Sequence, residues 1–153
     1  MTADAAFGAL GTDGDKVAFF APQAFKDVTM PFVTITVTQP LTADQKKQLL
    51  QQSSDAIVEA LKTSLPSVRI VLQELPAGHY LNGGKFDTFA VEYQLDMIEG
   101  RSEELKAAVM RELSRTANRT IGVSEEEVRV RMTDFPKTDI GMANGISAKA
   151  AGR

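Results

Sequence analysis

The sequence predicts an α+β fold in which two tandem β-α-β units form a four-stranded sheet with two helices on one face. Three observations carry this. Two strand-helix-strand patterns recur at a 60-residue offset without a gap. A helix between two strands acts as a crossover, which makes those strands parallel. One such unit cannot bury its own apolar faces, whereas two side by side can. The units are assigned to residues 31–87 and 88–153, after an N-terminal extension of residues 1–30. A chain of 153 residues is expected to form one compact domain.

The extension is rich in Ala and Gly and carries a short apolar cluster, Val17, Phe19, Phe20 and Phe25. An arm whose apolar cluster holds three phenylalanines is expected to dock and bury them. From Pro31 the pattern sharpens. Phe32, Val33, Ile35 and Val37 interleave with Thr34, Thr36 and Thr38, which reads as a strand ended by Pro40. Thr42 with Gln45 three residues on forms a capping box. Leu49, Leu50, Ser53, Ile57, Ala60 and Leu61 follow at helical spacing, and Pro66 closes the helix. Val68 to Leu72 is a second strand, and Ala77 to Lys85, with three glycines, is a turn or hairpin tip.

The second half repeats the plan. Thr88 to Met97 reads as a strand and Ser102 as a helix N-cap, with Glu103 and Glu104 suited to the positive end of the helix dipole. Leu105, Val109, Leu113 and Ala117 lie four apart in one stripe, Gly122 stops the helix, and Val128 to Met132 is a strand. The tail from Gly141 is rich in small residues and is expected to fray or to dock on a partner. Sliding by 60 places Ser64, Val68, Arg69 and Pro76 on Ser124, Val128, Arg129 and Pro136. Lys46 and Ser54 fall on Lys106 and Ser114. The sheet face away from the helices is expected to keep apolar residues and so to drive oligomerisation.

Composition excludes several functions. Without cysteine there are no disulfides, thiolate metal sites or cysteine nucleophiles, and one histidine, His79, cannot make a multi-histidine site. The net charge of −3 argues against a nucleic-acid surface. No apolar run approaches the roughly 20 residues needed to span a bilayer, and the N-terminus lacks the basic region of a secretory signal. The expectation is a cytoplasmic protein without nucleic-acid or membrane partners.

The first unit resembles the 4-oxalocrotonate tautomerase family. The carriers are Met30-Pro31-Phe32, Thr42-Ala43-Asp44-Gln45-Lys46, Ser67-Val68-Arg69 and Gly78-His79-Tyr80 before Gly83-Gly84. The second unit keeps Ile98-Glu99-Gly100-Arg101-Ser102 and Glu127-Val128-Arg129. The resemblance implies a tautomerase/MIF-like fold and a homotrimer of fused pairs. It also implies cofactor-free keto–enol proton transfer on a small 2-oxo or 2-hydroxy-dienoic acid.

Pro31 matches the N-terminal proline that serves as base in that family. A secondary amine near cations has its pKa lowered toward neutrality, so it can move a proton at carbon. Arg69 and Arg101 match arginines that bind a carboxylate and stabilise the developing enolate. Arg129 repeats Arg69 and is read as substrate-binding, and Tyr80 as an aromatic wall. The units have diverged: the second has Val91 where the first has Pro31, and the first has Leu41 where the second has Arg101. The resemblance is therefore closest to asymmetric, fused or heteromeric members.

Other readings stand beside these. Pro31 otherwise opens an edge strand, and Arg69 and Arg129 otherwise pair with Glu74 or Asp134. Arg101 opposes the dipole at its helix start, which favours a functional reason for it. The related dehalogenases carry a water-activating carboxylate where this chain reads Ile140-Gly141-Met142-Ala143, which disfavours that chemistry. As written, Pro31 follows Met30 in a peptide bond, so its nitrogen is an amide without basicity. Either the working protein begins at Pro31, or this is a catalytically silent relative that binds a carboxylate ligand or a partner.

Overall fold

The computed structural model describes residues 30–153, so the expected docked arm lies outside the described residues. Eight elements follow: β1 (Phe32–Val37), α1 (Ala43–Leu61), β2 (Arg69–Glu74), β3 (Leu81–Asn82), β4 (Lys85–Phe86), β5 (Val91–Ile98), α2 (Glu103–Ile121) and β6 (Val128–Phe135). The main sheet has the order β2-β1-β5-β6. β1 and β2 run parallel, as do β5 and β6, and the central pair β1–β5 is antiparallel. The two units are thus related by a pseudo-twofold axis through the middle of the sheet.

Strand alternation sets the layers. Val33, Ile35 and Val37 of β1 and Val91, Tyr93, Leu95 and Met97 of β5 are buried together. They meet Leu49, Ile57 and Leu61 of α1 and Val109, Leu113 and Ala117 of α2 in one core. Both helices therefore lie on one face, as the pattern predicts. The opposite face differs from expectation. Thr34, Thr36, Gln73, Glu92, Gln94, Asp96, Arg131 and Thr133 populate it by alternation. Phe32 and Val71 are its exposed apolar members, so a broad apolar face is not what would drive association.

The helix ends explain themselves. Thr42 and Gln45 form the complete reciprocal capping box, while Ser102 accepts only from Leu105 N. Helix α1 ends at Lys62 in the left-handed conformation, ahead of Pro66, and α2 ends at Gly122 with φ +76. The repeat extends to surface pairs: Lys46 bonds Glu74 at 2.8 Å, and Lys106 bonds Asp134 in the same place in the second unit.

Two further expectations change. β1 is paired on both sides, so Pro31 opens a central strand and not an edge. The tail docks on its own chain. Gly141 bridges Ser147, Ala148 N donates to Ile140 O at 2.9 Å, and Ala148 is fully buried with Ile98 and Ile140 in a second apolar cluster.

Candidate active site

At one end of the sheet, Pro31 immediately precedes β1. Parallel pairing sets Phe32 beside Arg69, and the Arg69 amide donates to the Pro31 carbonyl at 3.1 Å. Antiparallel pairing sets Phe32 beside Asp96, so the end of β5 and the Glu99–Arg101 turn reach the same end. Pro31, Arg69 and Arg101 therefore share one end of the sheet. Pro31 is buried, and its nitrogen is bonded to half-buried Met30.

The two arginines differ in setting. Arg69 is exposed, and its Nη1 donates to the Pro66 and Val68 carbonyls at 2.6 and 3.2 Å. A guanidinium has five donors, so these bonds orient it and leave capacity for a ligand. Arg101 donates Nη1 to Ile98 O at 3.1 Å. Burial pulls its guanidinium below the ordinary arginine value, with Asp134 opposing. It nonetheless stays a cation at any working pH. Neither Glu74 nor Asp134 is taken by Arg69 or Arg129; the two lysines hold those carboxylates.

A cavity of about 630 Å³ opens at this end. Its walls include Met30, Phe32 and Arg69 from the first unit and Met142, Ile146 and Arg153 from the second. Pro31 and Arg101 are not in this wall, although both neighbours of Pro31 are. A smaller hollow of about 260 Å³ shares Phe32 and Gly141 with it and adds Asp96, Phe135, Asp139 and Ile140. Carboxylates thus stand close to this end, although the Ile140–Ala143 stretch has none.

Tyr80 and Arg129 lie elsewhere. Arg129 is the second residue of β6 and pairs with Glu92, the second of β5, at the opposite end of the sheet. Tyr80 is held near it by the β3–β4 hairpin, whose Asn82 donates to Glu127 at 2.8 Å. Burial, then the charges of Glu92 and Glu127, push the Tyr80 hydroxyl up, and Arg129 opposes them. Arg129 repeats the Arg69 geometry, with Nη1 on the Glu126 and Val128 carbonyls. Within one chain, Val91, Tyr80 and Arg129 share an end, and so do Pro31, Arg69 and Arg101. The 60-residue shift that takes Arg69 to Arg129 takes Tyr80 to Ile140. The Pro31 end is therefore walled by the second unit's tail, whose small-residue composition does not mark it in the sequence as part of a site.

Among the described residues there is no group of three or more His, Cys, Asp or Glu able to hold a metal, and no helix long and apolar enough to cross a membrane. His79 is an exposed turn residue.

The tautomerase enzyme family model matches residues 31–89. A 2-hydroxymuconate tautomerase of Comamonas testosteroni is 45% identical over 60 residues, which are 39% of this chain and 94% of that protein. Among solved structures, the protein Pt0534 inactivated by 2-oxo-3-pentynoate superposes with a TM-score of 0.78 at 54% identity. That match covers 80% of this chain and 99% of that one. A fused 4-OT described as a symmetric trimer superposes at 0.77 with 38% identity and the same coverage.

Proposed function

This chain belongs to the tautomerase family, and we propose that its activity is cofactor-free proton transfer on a small 2-oxo or 2-hydroxy-dienoic acid. The shared position of Pro31, Arg69 and Arg101 at one end of the sheet carries this reading. Pro31, freed from Met30, is the base. Its amine takes the proton of the 2-hydroxyl, and electron density shifts along the diene as the C2 oxygen becomes a carbonyl. The resulting prolinium returns the proton to a distal carbon, so no oxidant or cofactor enters the balance.

Arg101 supports the base and the developing charge. A partly desolvated cation lowers a neighbouring amine's pKa and favours an oxyanion more strongly than it would in water. Arg69 binds a carboxylate from the cavity wall by a fork of two hydrogen bonds. Residues 31–87 and 88–153 then work as halves of one cytoplasmic enzyme, one bringing the base and the other Arg101.

Arg129 and Tyr80 join a Pro31 pocket only when a second copy brings them there. A homotrimer of fused pairs supplies such a copy, as in the fused 4-OT trimer. β2 and β6 are the outer strands of the four-stranded sheet. Exposed Leu65, Val71, Leu81 and Phe86 on the first unit supply apolar contact area.

One observation favours a second reading. Met30 lines the cavity and its carbonyl carbon holds the Pro31 nitrogen as an amide. In that state the protein binds a carboxylate ligand or partner without turnover. Intact mass of the native protein, with 2-hydroxymuconate assays of the full chain and of a chain beginning at Pro31, separates the two. Catalysis predicts turnover by the shorter chain and its loss on Pro31→Ala. Equal inactivity of both chains, or full activity of Pro31→Ala, overturns the proline mechanism.

A further inference from the structure

We propose that Arg153 is a second anion-reading residue of the Pro31-end cavity, and that it selects ligands carrying a second carboxylate. This rests on reading the cavity as a carboxylate site. Arg153 and Arg69 both line it, one from the C-terminal turn and the other from the start of β2. The rest of the wall is largely apolar and includes Met30, Phe32, Met142 and Ile146. A ligand with an apolar body and two anionic groups matches that lining. Apolar walls strengthen each charge contact by lowering the local dielectric.

The position of Arg153 is fixed by backbone. Ala148 is fully buried and anchors the tail. Ala151 N donates to Ser147 O at 2.9 Å, Gly152 N to Lys149 O at 3.1 Å and Arg153 N to Ala148 O at 2.9 Å. Gly152 has φ +74, a left-handed turn that glycine adopts without strain and that returns the chain toward the cavity. All three of these bonds run between backbone atoms.

The arrangement has no counterpart at the other end. The position 60 residues before Arg153 is Tyr93, inside β5 and fully buried. The 60-residue shift therefore gives Arg153 no equivalent cation at the Val91 end. Arg129, the other arginine expected to bind substrate, lies at that far end in the same chain. The tail gives the cavity wall a second guanidinium that the repeat does not encode.

The test is calorimetric binding of adipate and hexanoate to the full chain, which needs no turnover. Wild type is expected to prefer adipate by about tenfold, the size of one charge-assisted contact. Arg153→Ala removes most of that preference, Arg153→Lys keeps part of it, and Arg69→Ala weakens both ligands. Thermal melting confirms that each variant is folded. An unchanged adipate-to-hexanoate ratio in Arg153→Ala, or no adipate binding by wild type, overturns the proposal. Selective adipate binding through Arg153 without turnover by the Pro31-initiated chain sinks the activity instead.

Discussion

The Arg69 amide donates a hydrogen bond to the Pro31 carbonyl at 3.1 Å. The ladder thus uses the oxygen of Pro31 and leaves its nitrogen, which has no hydrogen to donate, outside the pairing. Cutting the Met30–Pro31 bond removes nothing from the sheet. A chain beginning at Pro31 is therefore expected to melt within a few degrees of the full chain. A large drop in Tm shows that residues 1–30 carry stability of their own.

In the Pro31-initiated protein, Arg101→Ala should lower kcat about 10²–10³-fold, the usual cost of losing an oxyanion-stabilising group. Pro31→Ala should lower it about 10²–10⁴-fold, as for loss of a general base. Steady-state kinetics on 2-hydroxymuconate, with circular dichroism as the folding control, decides this. An Arg101→Ala effect confined to KM assigns Arg101 to binding alone.

Tyr93 gives a pH prediction. Its hydroxyl lies 3.1 Å from that of Ser53 inside the core, and burial pushes it up to about 12, partly offset by Ser53. The folded value lies above the ordinary 10.0, so the folded state holds the proton where the unfolded state has lost it. That contribution is complete below about pH 10 and fades as pH rises toward 12. Urea midpoints at pH 9 and 11 should fall more for wild type than for Tyr93→Phe. At neutral pH the variant should cost about 1 kcal/mol for the orphaned Ser53. Parallel alkaline loss in both proteins rules out Tyr93 as the source.

The helix caps make an internal comparison. Thr42 has the reciprocal bond from Gln45 and Ser102 has none. Thr42→Ala should cost about 1–2 kcal/mol and Ser102→Ala about 0.5–1 kcal/mol. Denaturant unfolding of the two variants measures this, and an inverted order removes the second bond as the cause.

Asn82 ties the first unit's hairpin to Glu127. Asn82→Ala should speed amide exchange from Leu81 to Asp87 and leave the Ile140–Ala148 segment unchanged. Spread of the effect to that segment shows that the two ends of the sheet are coupled.

Much of this was legible in residues. Thr42 and Gln45 marked a helix start, and the matched positions of Arg69 and Arg129 marked equivalent strand starts. What periodicity could not supply was strand order. Only the antiparallel β1–β5 pairing shows that Tyr80 and Arg129 face away from Pro31, while Arg101 turns toward it. The tail was harder still. Ala148 and Gly152 look like linker composition, yet burial of one and the turn of the other set the cavity wall.

The antiparallel centre has a consequence for how such a protein can change. Six residues of β1 separate the two ends, about 20 Å at strand rise. Substitutions that far apart combine additively. Selection can then tune the Pro31 end and the Val91 end separately. Duplication within one chain thereby lets each half keep only the residues that its own end of the sheet must present.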